Sequence, residues 1–214
     1  MEAQTWYWVT LLLLVAIVIL TDRKYGLLRD VSTAKKPPFS FARVQLTWWT
    51  LIILASLISI LLATGQMPTL DSSTLILLGI CSTTLATATA IDLSDQSHAE
   101  ASKTTGKLSR NQLSTGFLTD ILSDNSGISI HRFQTVAFNF IFGCWMVAKV
   151  FFNLKHVTLE NLNNVIPVLE PNNLILIGLS SATYAALKTT ENKQLSTSVI
   201  DGSTLENAEE QPVG

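Results

Sequence analysis

The chain has 214 residues, 48% of them hydrophobic and only 14% charged, against about 25% charged in an average soluble domain. The charges are crowded into a few segments and long stretches carry none, a pattern that fits a bilayer-embedded protein better than a globular core. The formal net charge of −2 says little, because in a membrane protein the distribution of charge matters more than its sum; no basic aromatic patch points to nucleic acid.

Taken in chain order, five segments qualify as transmembrane spans: 4–21, 46–64, 74–91, 135–154 and 173–188. A spanning helix needs roughly 20 mainly apolar residues. The first, second and fourth meet this comfortably, the third is rich in Thr and Ala, and the fifth is short. The first is expected to be a retained helix. Glu2 is the only charge before it, and no small-x-small cleavage site precedes Asp22. Segment 22–45 is a basic linker holding Arg23, Lys24, Arg29, Lys35, Lys36 and Arg43, and Lys35 and Lys36 suit contact with anionic lipid.

Segment 92–134 opens with a Ser/Thr/Asn-rich run, read as mobile, and continues as GFLTDILSDNSG. Phe117, Leu118, Ile121 and Leu122 predict one apolar face of a short helix lying on the membrane, with Asp120 and Asp124 as its solvated face and Gly127 as its end. DNSG lacks the alternating ligands of a calcium loop. The tail 189–214 is acidic and polar and is expected to be disordered.

Lys and Arg set the orientation. Segments 22–45 and 92–134, with Lys188 at the end of the last span and Lys193 in the tail, hold twelve of them, against only Lys149 and Lys155 on the other side. Five spans, with the N-terminus outside and the C-terminus cytoplasmic, satisfy this distribution.

Residues 75–84, LILLGICSTT, return as LILIGLSSAT at 174–183, an offset of 99 positions. Leu70-Asp71 matches Leu169-Glu170 at the same offset. SFARVQ at 40–45 matches SIHRFQ at 129–134 at an offset of 89, so the second copy carries about ten extra residues around 157–166. These matches predict duplication. Residues 46–91 and 135–188 form two two-helix repeats, each entering and leaving on the same side, hence parallel about an axis along the membrane normal. The fold class expected is an all-α integral membrane protein, two parallel two-helix repeats plus one N-terminal helix.

The repeated residues supply the candidate sites. Gly79, Ser82, Thr84, Gly178, Ser181 and Thr183 mark a small, hydroxylated face, joined by Ala86 and Ala185. It either packs the third span against the fifth or borders a hydrated path with Thr83, Thr87 and Ser180. Two helices cannot enclose a pore, so the second reading needs a homo-oligomer. In S-x-x-R-x-Q, Ser40 and Ser129 are placed as N-caps. Arg43 and Arg132 lie at headgroup level, and Gln45 and Gln134 lie one step deeper. These four form either an anchored cap or a cytoplasmic mouth or docking site.

Lys149 can snorkel from near its helix end. Asn139 and Asn153 suit interhelical contacts, and Cys81 and Cys144 read as small buried residues. Gly106-Lys107-Leu108 lacks the remainder of a phosphate loop. No Cys or His spacing suggests a metal, no cofactor is implied, and extramembrane mass is too small for a catalytic domain. No intramembrane acid or paired charge offers a small transporter its coupling site.

The Trp-Trp after S-x-x-R-x-Q, the DILSDNSGISIHRFQ stretch and LIGLSSATY near the end resemble a group of bacterial multi-span inner-membrane proteins. The similarity covers roughly residues 37–188 and implies a bacterial inner membrane, without an activity. The first copy departs from the pattern, with Cys81-Ser82-Thr83 where the second has Ser180-Ser181-Ala182. Two functions are expected: a homo-oligomeric channel-like or membrane-permeabilising assembly, or a non-catalytic scaffold that recruits a cytoplasmic protein partner.

Overall fold

The computed structural model describes residues 2–32, 34–101, 112–124 and 127–191. The tail beyond residue 191 and Lys103, Lys107 and Arg110 lie outside these. Among these residues six α-helices follow one another: α1 (Ala3–Tyr25), α2 (Phe41–Thr64), α3 (Ser72–Ala101), α4 (Phe117–Leu122), α5 (Ile130–Leu154) and α6 (Pro171–Glu191). Two-residue strands β1 (Ser123–Asp124) and β2 (Gly127–Ile128) pair antiparallel, and a 3-10 turn spans Leu162–Asn164.

Among the described residues, α1, α2, α5 and residues 72–98 of α3 are long and apolar enough to cross a membrane. The architecture fits an all-α membrane protein. α6 has 21 residues but is not among these four. Hydropathy averages a whole helix, whereas lipid meets only its outer side. Ser180, Ser181 and Lys188 of α6 are buried, while Ile175 and Leu179 point outward.

Local sequence explains the boundaries. Gly26 (φ 67°) and Gly65 (φ 72°) end α1 and α2 in the left-handed conformation, and their N–H groups return to the carbonyls of Asp22 and Leu61. Ser40 and Ser129 stand at the N-cap positions of α2 and α5 in extended conformation, but neither side chain makes a capping hydrogen bond. At the start of α3, Asp71 Oδ1 accepts the Ser73 N–H at 2.7 Å. The carbonyls of Asp71 and Glu170 accept the N–H of Leu75 and Leu174, so α3 and α6 begin at equivalent residues.

α2 lies beside α5 and α3 beside α6, while α1 packs on α2 and α5. The contacts Ser73–Leu169, Ile80–Gly178 and Asp92–Lys188 follow the same order along both segments, so α3 and α6 are parallel. The shared core takes Trp49, Ile52, Leu77, Met146 and Ile177 from four helices. Gly143 allows the closest approach: a Cβ there would lie 2.6 Å from Trp48 Cε2, so only glycine admits the indole.

The end of α3 differs from the sequence expectation, and two connections carry contacts that the sequence leaves open. α3 continues to Ala101, ten residues past the expected end of its span, because polar residues end a span without breaking a helix. Segment 26–40 folds back on itself: Arg29 bridges Phe39, and Ser40 N–H donates to Leu28 O. The stretch around 157–166 is packed. Leu162, Val165 and Ile166 are buried, and Asn153 Nδ2 donates to the carbonyls of Asn164 and Val165.

α4 ends at Leu122, with Ser123 as its cap, and Gly127 (φ 112°) belongs to the β-ribbon. Segments 26–40 and 112–124 meet at one end of the bundle, called here the basic end.

Candidate functional site

A buried polar lattice joins α2, α5 and α6. Gln45 Nε2 donates to Asn139 Oδ1 (3.1 Å) and to Ser181 Oγ (3.0 Å). Trp49 Nε1 donates to the same Asn139 oxygen at 2.7 Å, and Trp48 Nε1 to the Asn139 carbonyl at 3.1 Å. Asn139 Nδ2 donates to Thr135 O at 2.8 Å. Thr135 Oγ1 reaches the Ser180 carbonyl at 3.2 Å. Gln45, Asn139 and Ser181 are all buried. The donors of Gln45, Trp48, Trp49, Thr135 and Asn139 each find an acceptor on another helix or on their own preceding turn, while Gln45 Oε1 has no hydrogen-bond partner.

Toward the basic end lies a second cluster. Lys188 Nζ donates to Asp92 Oδ2 at 2.8 Å, with the lysine side chain 5% and the aspartate side chain 12% exposed. Phe41 meets Tyr184 edge-on at 4.8 Å, and the Arg132 guanidinium sits 5.2 Å from the same ring. The sequence reading placed Lys188 among the positive-inside residues and foresaw no charge pair. The overlooked signal is position: Lys188 follows Asp92 by 96 residues, within one turn of the 99-residue offset between the two similar stretches.

The basic end itself is closed by Asp120. Its carboxylate accepts hydrogen bonds from Ser114 Oγ (2.7 Å) and from the N–H groups of Phe39 (3.1 Å), Thr115 (3.0 Å) and Gly116 (3.3 Å). Partial burial opposes its charge, but these donors outweigh it and hold the carboxyl below its usual value. Asp120 is therefore a fastener between two segments, not the solvated face of an amphipathic helix. Ile121 of α4 is buried against Phe41 and Ala88, while Leu118 is exposed. Beside this end a basic recess of about 660 Å³ is lined by Arg23, Arg29, Lys35, Lys36 and Arg43, together with Asp22 and Asp30.

The structure separates some of the residues that the sequence grouped. Gly79 and Ser82 face outward, whereas Thr84 is buried and bonds the Ile80 carbonyl at 2.8 Å. Gly178 is half-buried against Ile80, Ser181 is buried, and Thr183 is half-buried. Gln45 is buried but Gln134 is exposed. Arg43 Nη1 donates to Leu27 O at 3.3 Å. Gln45 and Ser181, assigned to different sites from sequence, meet directly. Cys81 is buried in the core, while Cys144 is exposed. Lys149 is exposed on α5.

Among the described residues no group of three His, Cys, Asp or Glu side chains is placed to hold a metal. Comparison with protein-family models, curated proteins and solved structures finds no match.

Proposed function

We propose that this chain is a five-span protein of a bacterial inner membrane, N-terminus outside and C-terminus cytoplasmic, that assembles from several copies into a channel-like or membrane-permeabilising complex. One observation carries this reading. α3 buries Leu77, Cys81 and Ala88 and turns Ser82, Thr83, Thr87 and Thr89 outward. A hydroxyl-rich helix face is a poor lipid surface; it is better matched by a neighbouring helix or by water.

α6 is the fifth span in this reading, since mid-helix Ser180 and Ser181, with Lys188, are inward while Ile175, Leu179 and Leu187 are outward. Two features support duplication of the helix pair. α3 and α6 start at equivalent acids, and the contacts Ser73–Leu169 and Asp92–Lys188 are each 96 positions apart, close to the sequence offset. Among the described residues, Arg23, Lys24, Arg29, Lys35, Lys36, Arg43 and Arg132 lie toward the basic end, against Lys149 and Lys155 away from it, and the basic end is accordingly cytoplasmic.

The test is the oligomeric mass of the purified protein, with flux of ions or small dyes through reconstituted vesicles. Flux that falls in Ser82→Leu, in a protein that still assembles, supports the pore; absence of flux from an assembled protein overturns it.

A second reading, a non-catalytic scaffold, is favoured by the basic end. There Ile128 and Ile130 are 75% and 76% exposed on the ribbon and helix start beside Asp120. It predicts a co-purifying cytoplasmic protein that is lost when residues 92–128 are deleted.

A further inference from the structure

The two helix pairs bury opposite faces. On α5, Asn139 and Gly143 are buried; their equivalents on α2, Thr50 and Leu54, are exposed. On α2, Gln45 is buried, Trp49 is buried and Ile52 is buried; on α5, Gln134 is exposed, Phe138 is half-buried and Ile141 is exposed. The same exchange runs along the other pair. Ser181 and Lys188 are buried on α6, while Ser82 and Thr89 are exposed on α3. Ala88 is buried on α3, while Leu187 is exposed on α6. Ser180, the equivalent of Cys81, stays buried because Thr135 bonds its carbonyl.

A closed two-fold pair would bury the same face on both units. An exchange of faces is the signature of an open, near-translational stack, in which unit one presents one side and unit two receives it with the other. The presenting side is bulky (Gln45, Trp48, Trp49, Ile80) and the receiving side is small or polar (Asn139, Gly143, Gly178, Ser181). The stack leaves one of each unused. Unit one keeps an open receiving side at Thr50, Gly79 and Ser82. Unit two keeps an open presenting side at Gln134, Ile141, Trp145 and Leu179, all exposed.

We infer that a second copy of this chain docks head-to-tail, with Gln134, Ile141 and Leu179 of one copy seated on Thr50, Gly79 and Ser82 of the next, so that the contact between copies repeats the contact within each copy. This rests on the duplication in the proposed function and names the partner and the surfaces of the assembly. Gln134 takes the place of Gln45, which binds Ser181 within the chain, and so faces Ser82. Leu179 takes the place of Ile80, which lies 3.4 Å from where a Gly178 Cβ would stand, and so faces Gly79. Such a heterologous contact closes into a ring or extends as a row.

The experiment is disulfide trapping in membranes, in a full-length chain whose Cys81 and Cys144 are replaced by Ala. Gly79→Cys and Leu179→Cys change exposed positions, and a side chain at Gly79 meets nothing within 4 Å, so neither disturbs the fold. With both in one chain, oxidation yields a ladder of dimers, trimers and higher species. A Gly79→Cys copy mixed with a Leu179→Cys copy yields dimers only, and either copy alone yields at least ten-fold less. Self-linking by Gly79→Cys alone at full yield overturns the head-to-tail contact in favour of a symmetric one. An oligomeric mass without any trapped species overturns these surfaces while leaving the assembly standing. A monomeric mass removes both.

Discussion

Gln45 and Ser181, 136 positions apart in the chain, are joined by a 3.0 Å hydrogen bond inside the bundle. The bond ties the second turn of α2 to the middle of α6, and the same amide group reaches Asn139 on α5. Asn139 is the hub, because its side-chain oxygen accepts both Gln45 and Trp49. Asn139→Leu removes that acceptor and leaves a buried indole N–H without its partner, a loss of about 1–3 kcal/mol. Reversible unfolding in detergent should show it as a lower midpoint. Gln134→Ala, at the exposed equivalent of Gln45, should leave the midpoint of the single chain within about 0.5 kcal/mol of the parent.

The Lys188–Asp92 pair makes a sharper demand. Lys188→Met leaves the Asp92 carboxylate buried without its ammonium, and breaking a buried pair from one side costs about 3–5 kcal/mol. Replacing both, Asp92→Leu with Lys188→Met, removes the desolvation cost along with the attraction, so the double variant should recover most of the loss. A double-mutant cycle on thermal unfolding reads this directly. Additive losses would show that the two charges act separately.

Much of this bundle is legible in the sequence, and the failures share a cause. Apolar length locates α1, α2, α3 and α5, and the S-x-x-R-x-Q and acid-led motifs locate the helix starts. What the sequence hides is which side of a helix is inside. Gly79 and Gly178 stand in near-identical contexts, yet one is exposed and the other packs on Ile80. Packing between the helix pairs decides this, and local spacing cannot. The partner of Lys188 is hidden for a related reason, since a single cation at the end of a span has the same signature whether it faces headgroups or a buried carboxylate. The length of α3 was missed because loss of hydropathy at Asp92 is not a helix stop when no Gly or Pro follows closely.

Asp120 predicts a pH dependence confined to the basic end. A carboxyl held below its ordinary value stabilises the folded arrangement above that value, about 3.9 for Asp, and the contribution is lost as pH falls through the lowered one. Amide exchange at Phe39, Thr115 and Gly116, whose N–H groups bind this carboxylate, should therefore be slow at pH 6. Relative to the intrinsic rate it should accelerate below about pH 4. Asp120→Ala should remove the protection at every pH, leaving amides in the middle of α2 and α5 unchanged. Protection in Asp120→Ala equal to the parent would show that α4 is held by Ile121 alone.

Glycine separates the two faces most economically. At Gly143 a methyl group would enter the Trp48 indole, whose Nε1 is also bonded to the Asn139 carbonyl 3.1 Å away. The ring cannot retreat without giving up that bond, so Gly143→Ala should combine overpacking with a lost interhelical hydrogen bond, about 1–3 kcal/mol. Gly178→Ala meets only the end of the Ile80 side chain, at 3.4 Å, which can rotate aside, so its cost should be small. Gly79→Ala meets nothing within 4 Å, and Ala is the better helix former by about 1 kcal/mol, so the single chain should be unharmed or slightly stabilised. Unfolding midpoints in the order Gly79→Ala, Gly178→Ala, Gly143→Ala, from highest to lowest, are the expected result. A Gly143→Ala variant as stable as the parent would mean that α2 and α5 do not approach across Trp48.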